Sequence, residues 1–111
     1  MAEETIAFQT SEKNGWTLWT VKGRLDRLTA QEAGENADKI FAATQKLAVD
    51  MSELVYLSSA GIRILLRLTK QAKAEGKDFA LVAPAGMVKV VLIESRMDMF
   101  AAIYESADEL P

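Results

Sequence analysis

Leu54-Val55-Tyr56-Leu57-Ser58-Ser59-Ala60-Gly61-Ile62 is the stretch on which the reading of this chain turns. An apolar run climbs to two consecutive serines, then passes through the small pair Ala60-Gly61 directly into helical sequence. A hydroxyl at the start of a helix stands in solvent beside backbone N–H groups that lack partners in the first turn. Such a group can cap the helix, attack as a nucleophile or accept a phosphoryl group. The spacing predicts a helix from about Ala60 to Glu75, stopped at Gly76, a residue suited to the C-cap. Ser59 then sits at the N-cap or the first helical position, where a capping serine contributes about 1 kcal/mol.

Working outward, Ile6-Ala7-Phe8-Gln9-Thr10 alternates apolar and polar residues, the period of a half-buried strand. Asn14-Gly15 is a strong hairpin turn signal, and Trp16 to Lys22 alternates again and ends at Gly23, so these two strands pair antiparallel. Helical spacing runs through Ala30, Ala33, Ala37, Ile40 and Phe41, and Thr29 with Glu32 fits a capping box. Gly34 inside that helix costs about 1 kcal/mol against alanine. Lys46 to Asp50 reads as a short buried strand and Phe79 to Ala83 as another, closed by Pro84. Met87 to Glu94 reads as a short helix, Met99 to Tyr104 as an edge strand and the tail as a last helical turn. Strands alternating with helices after an opening hairpin specify an α/β domain. Its mixed sheet has four to five strands and is covered by about four helices on at least one face.

The 111 residues fit one domain, residues 1–111, and the 50% hydrophobic content allows a core without staples. There is no cysteine, hence no disulfide or thiolate chemistry. There is no histidine either, which excludes Ser-His-Asp and Cys-His machinery and removes the commonest zinc ligands. Thirteen basic and sixteen acidic residues are mixed along the chain, giving a net charge of −3 and no electrostatic reason to expect nucleic acid. Met1-Ala2-Glu3-Glu4 lacks the basic start and apolar core of a signal peptide. No apolar run approaches the ~20 residues that span a bilayer. The expectation is a cytoplasmic domain, monomeric when free and without a cofactor.

Three segments carry a family resemblance: Gly23-Arg24-Leu25-Asp26, then Leu47-Ala48-Val49-Asp50-Met51-Ser52, then Tyr56-Leu57-Ser58-Ser59-Ala60-Gly61-Ile62-Arg63-Ile64-Leu65-Leu66. Together they resemble the STAS domain, specifically the bacterial anti-sigma factor antagonists, and Leu92 to Phe100 is similar to the family's third-helix region. The resemblance implies a partner switch. The unphosphorylated antagonist binds an anti-sigma factor that is also an ATP-dependent serine kinase, and a sigma factor is freed. Phosphorylation of the serine at the start of the second helix releases the antagonist, and a metal-dependent phosphatase of the PP2C type restores it. The acceptor position falls on Ser59, with Ser58 as second choice. The family's usual acid before the acceptor is Ser58 here, and its usual Ser or Thr after it is Ala60. Arg96 stands where a glycine is common, and a left-handed backbone there would cost about 1 kcal/mol.

The partner surface expected from this arrangement is Gly23, Arg24, Leu25 and Asp26, beside Ser58, Ser59, Ala60, Gly61, Arg63, Ile64 and Arg67. Arg63, Arg67 and Lys70 form a basic stripe at helical spacing. Ile62, Leu65, Leu66, Thr69 and Ala72 form the opposing core stripe, with Ile64 and Leu68 between them, flanking the docking surface. Asp50 either stiffens the serine turn from behind or caps its own strand end. Trp16 and Trp19 face opposite sides of the sheet, one in the core and the other partly exposed. Met97 and Met99 fill gaps or offer a soft surface.

Three other readings compete. A serine enzyme would need a lysine base, but Ser-x-x-Lys does not occur at Ser59 and Gly-x-Ser-x-Gly is missing. A nucleotide module would use the helix start as an anion cradle, without a glycine-rich phosphate loop. Within the resemblance, a non-phosphorylated subunit of a lipid-transport ATPase or of a stress-sensing scaffold would use the serine turn as a constitutive contact.

Overall fold

Strands β1 (Ile6–Lys13) and β2 (Trp16–Leu25) form the opening hairpin, antiparallel with Ile6 opposite Gly23 and Lys13 opposite Trp16. Asn14 and Gly15 both have positive φ, 53° and 86°, the turn whose twist matches the flanking strands. The structure, a computed structural model, describes residues 6–111; the acidic start Met1-Ala2-Glu3-Glu4 lies outside them.

After the hairpin come α1 (Ala30–Ala42), β3 (Lys46–Asp50), β4 (Leu54–Leu57), α2 (Ser59–Glu75), β5 (Asp78–Val82), α3 (Gly86–Glu94) and β6 (Ala102–Tyr104). Single 3₁₀ turns occupy Met97–Met99 and Ala107–Glu109, so the expected last helical turn is a 3₁₀ turn and the described residues hold three α-helices. The sheet runs β1-β2-β3-β5-β6, parallel from β2 onward, with β4 paired to the far end of β2. The sheet is mixed, as expected, with a sixth strand that the sequence did not declare. Leu54–Leu57 is short and lacks alternation, so it read as the approach to a turn.

Strand β2 runs past Gly23, its expected end. Gly23 has φ 99° and lets the strand kink where a side chain would be strained. Before the kink β2 pairs with β3; beyond it, Gly23 faces Leu54, and Arg24 faces Tyr56. Val55 is left as an extra, unpaired residue, a bulge that re-aims Tyr56 toward Arg24.

The alternation along each strand sorts side chains by face. Trp19, Val21, Leu47, Val49 and Leu81 join Ala33, Ala37, Phe41, Leu65, Leu68, Ala72, Val88 and Leu92 in the main core, so all three helices cover one face. Trp16, Leu18, Ala48, Ala80 and Val82 face the other way and are covered by Leu110 of the tail. Both tryptophans are therefore buried, against the expectation that one is partly exposed. The Trp16 indole N–H donates to the Pro111 carbonyl at 2.9 Å, and that of Trp19 to Asn36 Oδ1 at 2.7 Å. The C-terminal segment, expected only as a last helical turn, covers the second face through Leu110 and Ala107.

Helix α2 ends as expected at Gly76, left-handed at φ 69°. Arg96 is also left-handed, φ 64°, so the substitution for glycine carries the expected strain. Met97 is buried and Met99 exposed, dividing the two roles between them.

Candidate functional site

The turn from Leu57 into α2 is held at three points. The Ser58 N–H donates to the Leu25 carbonyl at 3.0 Å, tying the turn to the end of β2. Ser58 has extended backbone angles, φ −104° and ψ 178°, and its Oγ accepts from the Ala60 N–H at 3.2 Å. Its carbonyl accepts from the Ile62 N–H at 3.0 Å. Ser58 is therefore the N-cap and Ser59 the first helical residue. With capping assigned to Ser58, Ser59 is exposed and its hydroxyl makes no hydrogen bond among the described residues.

Gly61 and Leu25 lie beneath the turn and not on its surface. A Cβ on Gly61 would sit 2.6 Å from Leu57 Cδ1, 2.8 Å from Leu25 Cγ and 3.0 Å from the Leu25 carbonyl oxygen. Leu25 is buried at 1% exposure. Both were expected at the partner surface; instead they bring the first turn of α2 down onto β2 and fix where the serines emerge.

The opposite wall is the loop from β2 into α1. Asp26 Oδ1 accepts from the Leu28 and Thr29 N–H groups at 3.0 and 3.2 Å. Thr29 Oγ1 donates to the Arg24 carbonyl at 2.9 Å and accepts from the Asp26 N–H at 3.0 Å. The expected Thr29–Glu32 capping box does not form, because the Thr29 hydroxyl is turned back into the loop and makes no cap bond to α1. Desolvation pulls the Asp26 carboxyl upward, but the Leu28 and Thr29 donors and the Arg24 guanidinium outweigh it and hold the group below its ordinary value. Arg24 Nε reaches Asp26 Oδ2 at 3.4 Å, and its guanidinium lies 4.2 Å from the centre of the Tyr56 ring.

Between these walls lies an open cleft of about 450 Å³ lined by Arg24, Asp26, Arg27, Leu28, Tyr56, Ser58, Ser59, Ala60 and Arg63. Of the residues singled out from sequence, Arg24, Asp26, Ser58, Ser59, Ala60 and Arg63 meet here. Gly23 is half-buried behind them.

Ile64 and Arg67 do not join the cleft. Ile64 packs against the core beside Gly34 of α1, and Arg67 Nη1 pairs with Asp38 of α1 at 3.0 Å. Leu68, expected at the flank of the docking surface, is fully buried. Asp50 accepts from Thr20 Oγ1 and from the Ser52 N–H, both at 3.0 Å, so it caps its own strand end.

Sequence reasoning missed Arg27, Leu28 and Tyr56. The first two directly follow the Gly-Arg-Leu-Asp segment, and the exposed Leu28 was a signal available there. Tyr56 turns inward only because of the bulge at Val55.

The chain has no histidine, no lysine lines the cleft among the described residues, and its carboxylate, Asp26, is engaged by Leu28, Thr29 and Arg24. Among the described residues, no group of three or more carboxylates could hold a metal ion, and no helix is long and apolar enough to cross a membrane.

The sequence model of the STAS domain matches residues 7–110. Osmosensory protein A of Mycobacterium tuberculosis is 32% identical over 73 residues, 66% of this chain but 46% of the relative, so the chain spans less than half of that protein's length. The crystal structure of an anti-sigma factor antagonist from Mycobacterium paratuberculosis superposes with a TM-score of 0.82 at 20% identity, covering 97% of this chain and 92% of that one. The anti-sigma factor antagonist SpoIIAA in its unphosphorylated form gives 0.71 at 19% identity, covering 87% of each chain. The phosphorylated Bacillus SpoIIAA gives 0.65 at 16%, covering 87% of this chain and 90% of that one. At these identities the likeness is one of fold.

Proposed function

The chain belongs to the STAS-domain family, and from that premise we propose that it acts as an anti-sigma factor antagonist in a partner-switching pathway, its switch being the Ser59 hydroxyl. The observation that carries this reading is the exposure of Ser59 on the first residue of α2, inside an open cleft, with the N-cap duty already met by Ser58. The fold likeness to anti-sigma factor antagonists, one of them solved both with and without phosphate, supports it.

In the unphosphorylated form the cleft docks an anti-sigma factor with serine kinase activity. The kinase transfers the γ-phosphoryl group of ATP to Ser59 Oγ; ADP leaves and the hydroxyl proton is released. The modification adds about −1.5 to −2 charges at pH 7. A dianion at the start of α2 faces the positive end of the helix dipole, so the fold tolerates it while the interface changes charge. A phosphatase of the PP2C type returns the serine by hydrolysis. The chain needs no catalytic group and no cofactor of its own for this cycle, and the reading places it in the cytoplasm.

The test is incubation of the full chain with candidate anti-sigma factor kinases and ATP, followed by mass spectrometry of the Ser58–Ser59 peptide. The expected result is one phosphate on Ser59, absent in Ser59→Ala and retained in Ser58→Ala. A peptide that stays unmodified with kinases that bind the chain would overturn the reading. It would favour a constitutive contact in a lipid-transport ATPase or a stress-sensing scaffold, a use in keeping with the longer osmosensory relative.

A further inference from the structure

The cleft carries a charge opposite to that of the chain. Among the described residues, Arg24, Arg27 and Arg63 line it with Asp26 as the only carboxylate, a local excess of two positive charges on a protein of net charge −3. The Asp26 carboxylate is already engaged by Leu28, Thr29 and Arg24, which leaves it poorly placed to greet a cation from a partner. Arg27 and Arg63 have no carboxylate within ion-pair distance among the described residues. Guanidinium groups bind carboxylates through paired N–H donors, and exposed arginines with no ion-pair partner in the fold keep those donors available to an incoming carboxylate. On the rim stands Leu28, 78% exposed, held outward by the Asp26 and Thr29 bonds. An exposed leucine beside free arginines fits a segment that pairs an apolar side chain with acidic ones.

We infer that the cleft around Ser59 receives an acidic segment of the protein partner, its carboxylates meeting Arg27, Arg63 and Arg24 and an apolar neighbour covering Leu28. This rests on the partner-switch reading and adds the reason that phosphorylation releases the partner. A phosphate of about −1.5 to −2 charges on Ser59 matches the local excess. It takes the same arginines from within the chain, and the partner's carboxylates then face a nearly neutral cleft beside a phosphate of their own sign. Phosphoserine is thus an internal substitute for the partner's acids.

The experiment is an NMR titration of the full ¹⁵N-labelled chain with a short synthetic peptide of alternating leucine, aspartate and glutamate. A second titration uses the same peptide with asparagine and glutamine in place of the acids, and others use ATP and a single-stranded oligonucleotide. The acidic peptide should shift amides in the β2–α1 loop and the first turn of α2, while the amide peptide leaves them unmoved. Arg27→Gln and Arg63→Gln, neither of which removes an ion pair within the fold, should each weaken binding about two- to fivefold. Raising salt toward 1 M should weaken it further, as screening shortens to about 3 Å. The chain carrying phosphoserine at position 59 should bind the acidic peptide at least tenfold less tightly.

Equal binding of the acidic and amide peptides, or unchanged binding by the phosphorylated chain, overturns the inference. Tighter binding of ATP or the oligonucleotide at the same amides also overturns it, in favour of a phosphate ligand. A kinase that never modifies Ser59 would defeat the partner switch without touching the peptide result, so the two failures are separable.

Discussion

Gly61 and Gly34 both lie inside helices, and alanine should act on them with opposite signs. At Gly61 the new Cβ would lie 2.6 Å from Leu57 Cδ1, 2.8 Å from Leu25 Cγ and 3.0 Å from the Leu25 carbonyl oxygen. Leu25 and Leu57 are buried, and the carbonyl is held by the Ser58 N–H, so nothing nearby yields cheaply. Overpacking of this kind costs about 1–3 kcal/mol, offset by at most about 1 kcal/mol of helix propensity. Two of the three contacts fall below 3.0 Å, which puts the cost in the upper part of that range, about 2–3 kcal/mol, and the net loss at about 1–2 kcal/mol. At about 2.1 cal/mol/K of unfolding entropy per residue, 111 residues convert each kcal/mol to about 4 °C. Gly61→Ala should therefore melt about 4–8 °C below the wild type by circular dichroism. At Gly34 the Cβ would meet only Arg67 Nη2 at 3.2 Å and Ile64 Cδ1 at 3.3 Å, the ends of flexible side chains. Gly34→Ala should gain about 0.5 kcal/mol, or about 2 °C. A Gly61→Ala protein as stable as the wild type, or a Gly34→Ala protein that loses more, would refute this account of how the serine turn is seated.

The two serines should separate in the same assay. Ser58→Ala, losing the bond from Ala60, should cost about 1 kcal/mol, while Ser59→Ala should stay within about 0.5 kcal/mol of the wild type. Arg96→Gly should stabilise by about 0.5–1 kcal/mol, because the residue sits at φ 64°, and urea titration reads the change. The Asp26 carboxyl titrates lower when folded than when unfolded, so its stabilisation is present above the unfolded value and fades as pH falls through the folded one. Asp26→Asn should cost about 1 kcal/mol at pH 7, and the gap from the wild type should close as pH drops below about 4; a gap independent of pH would contradict the assigned hydrogen bonds.

The strands, the hairpin and the helices were legible where one physical signal dominates: alternation in β1 and β2, Asn14-Gly15, and Gly76 after α2. What escaped depends on contacts between distant segments. Leu54–Leu57 is too short to show a period, and becomes a strand only because Gly23 lets β2 continue to meet it. Trp16 is buried by a tail some 95 residues away in sequence, which no local pattern announces. In the cleft, Ser59, Ser58, Arg24, Asp26 and Arg63 could be named because they flank the turn or sit on a helix face. Arg67 shares that face by spacing alone, and the packing of α1 on α2 draws it to Asp38. Tyr56 enters the cleft through a bulge, an event of register and not of composition.

The central claim is that charge on one exposed hydroxyl decides whether a partner stays bound. Isothermal titration of the cognate anti-sigma factor kinase with the unmodified chain, and with chain fully phosphorylated at Ser59, measures that directly. The account predicts about 100-fold weaker binding of the phosphorylated form, a loss of about 2.7 kcal/mol, with an unchanged circular dichroism spectrum. Equal affinities for the two forms would contradict it.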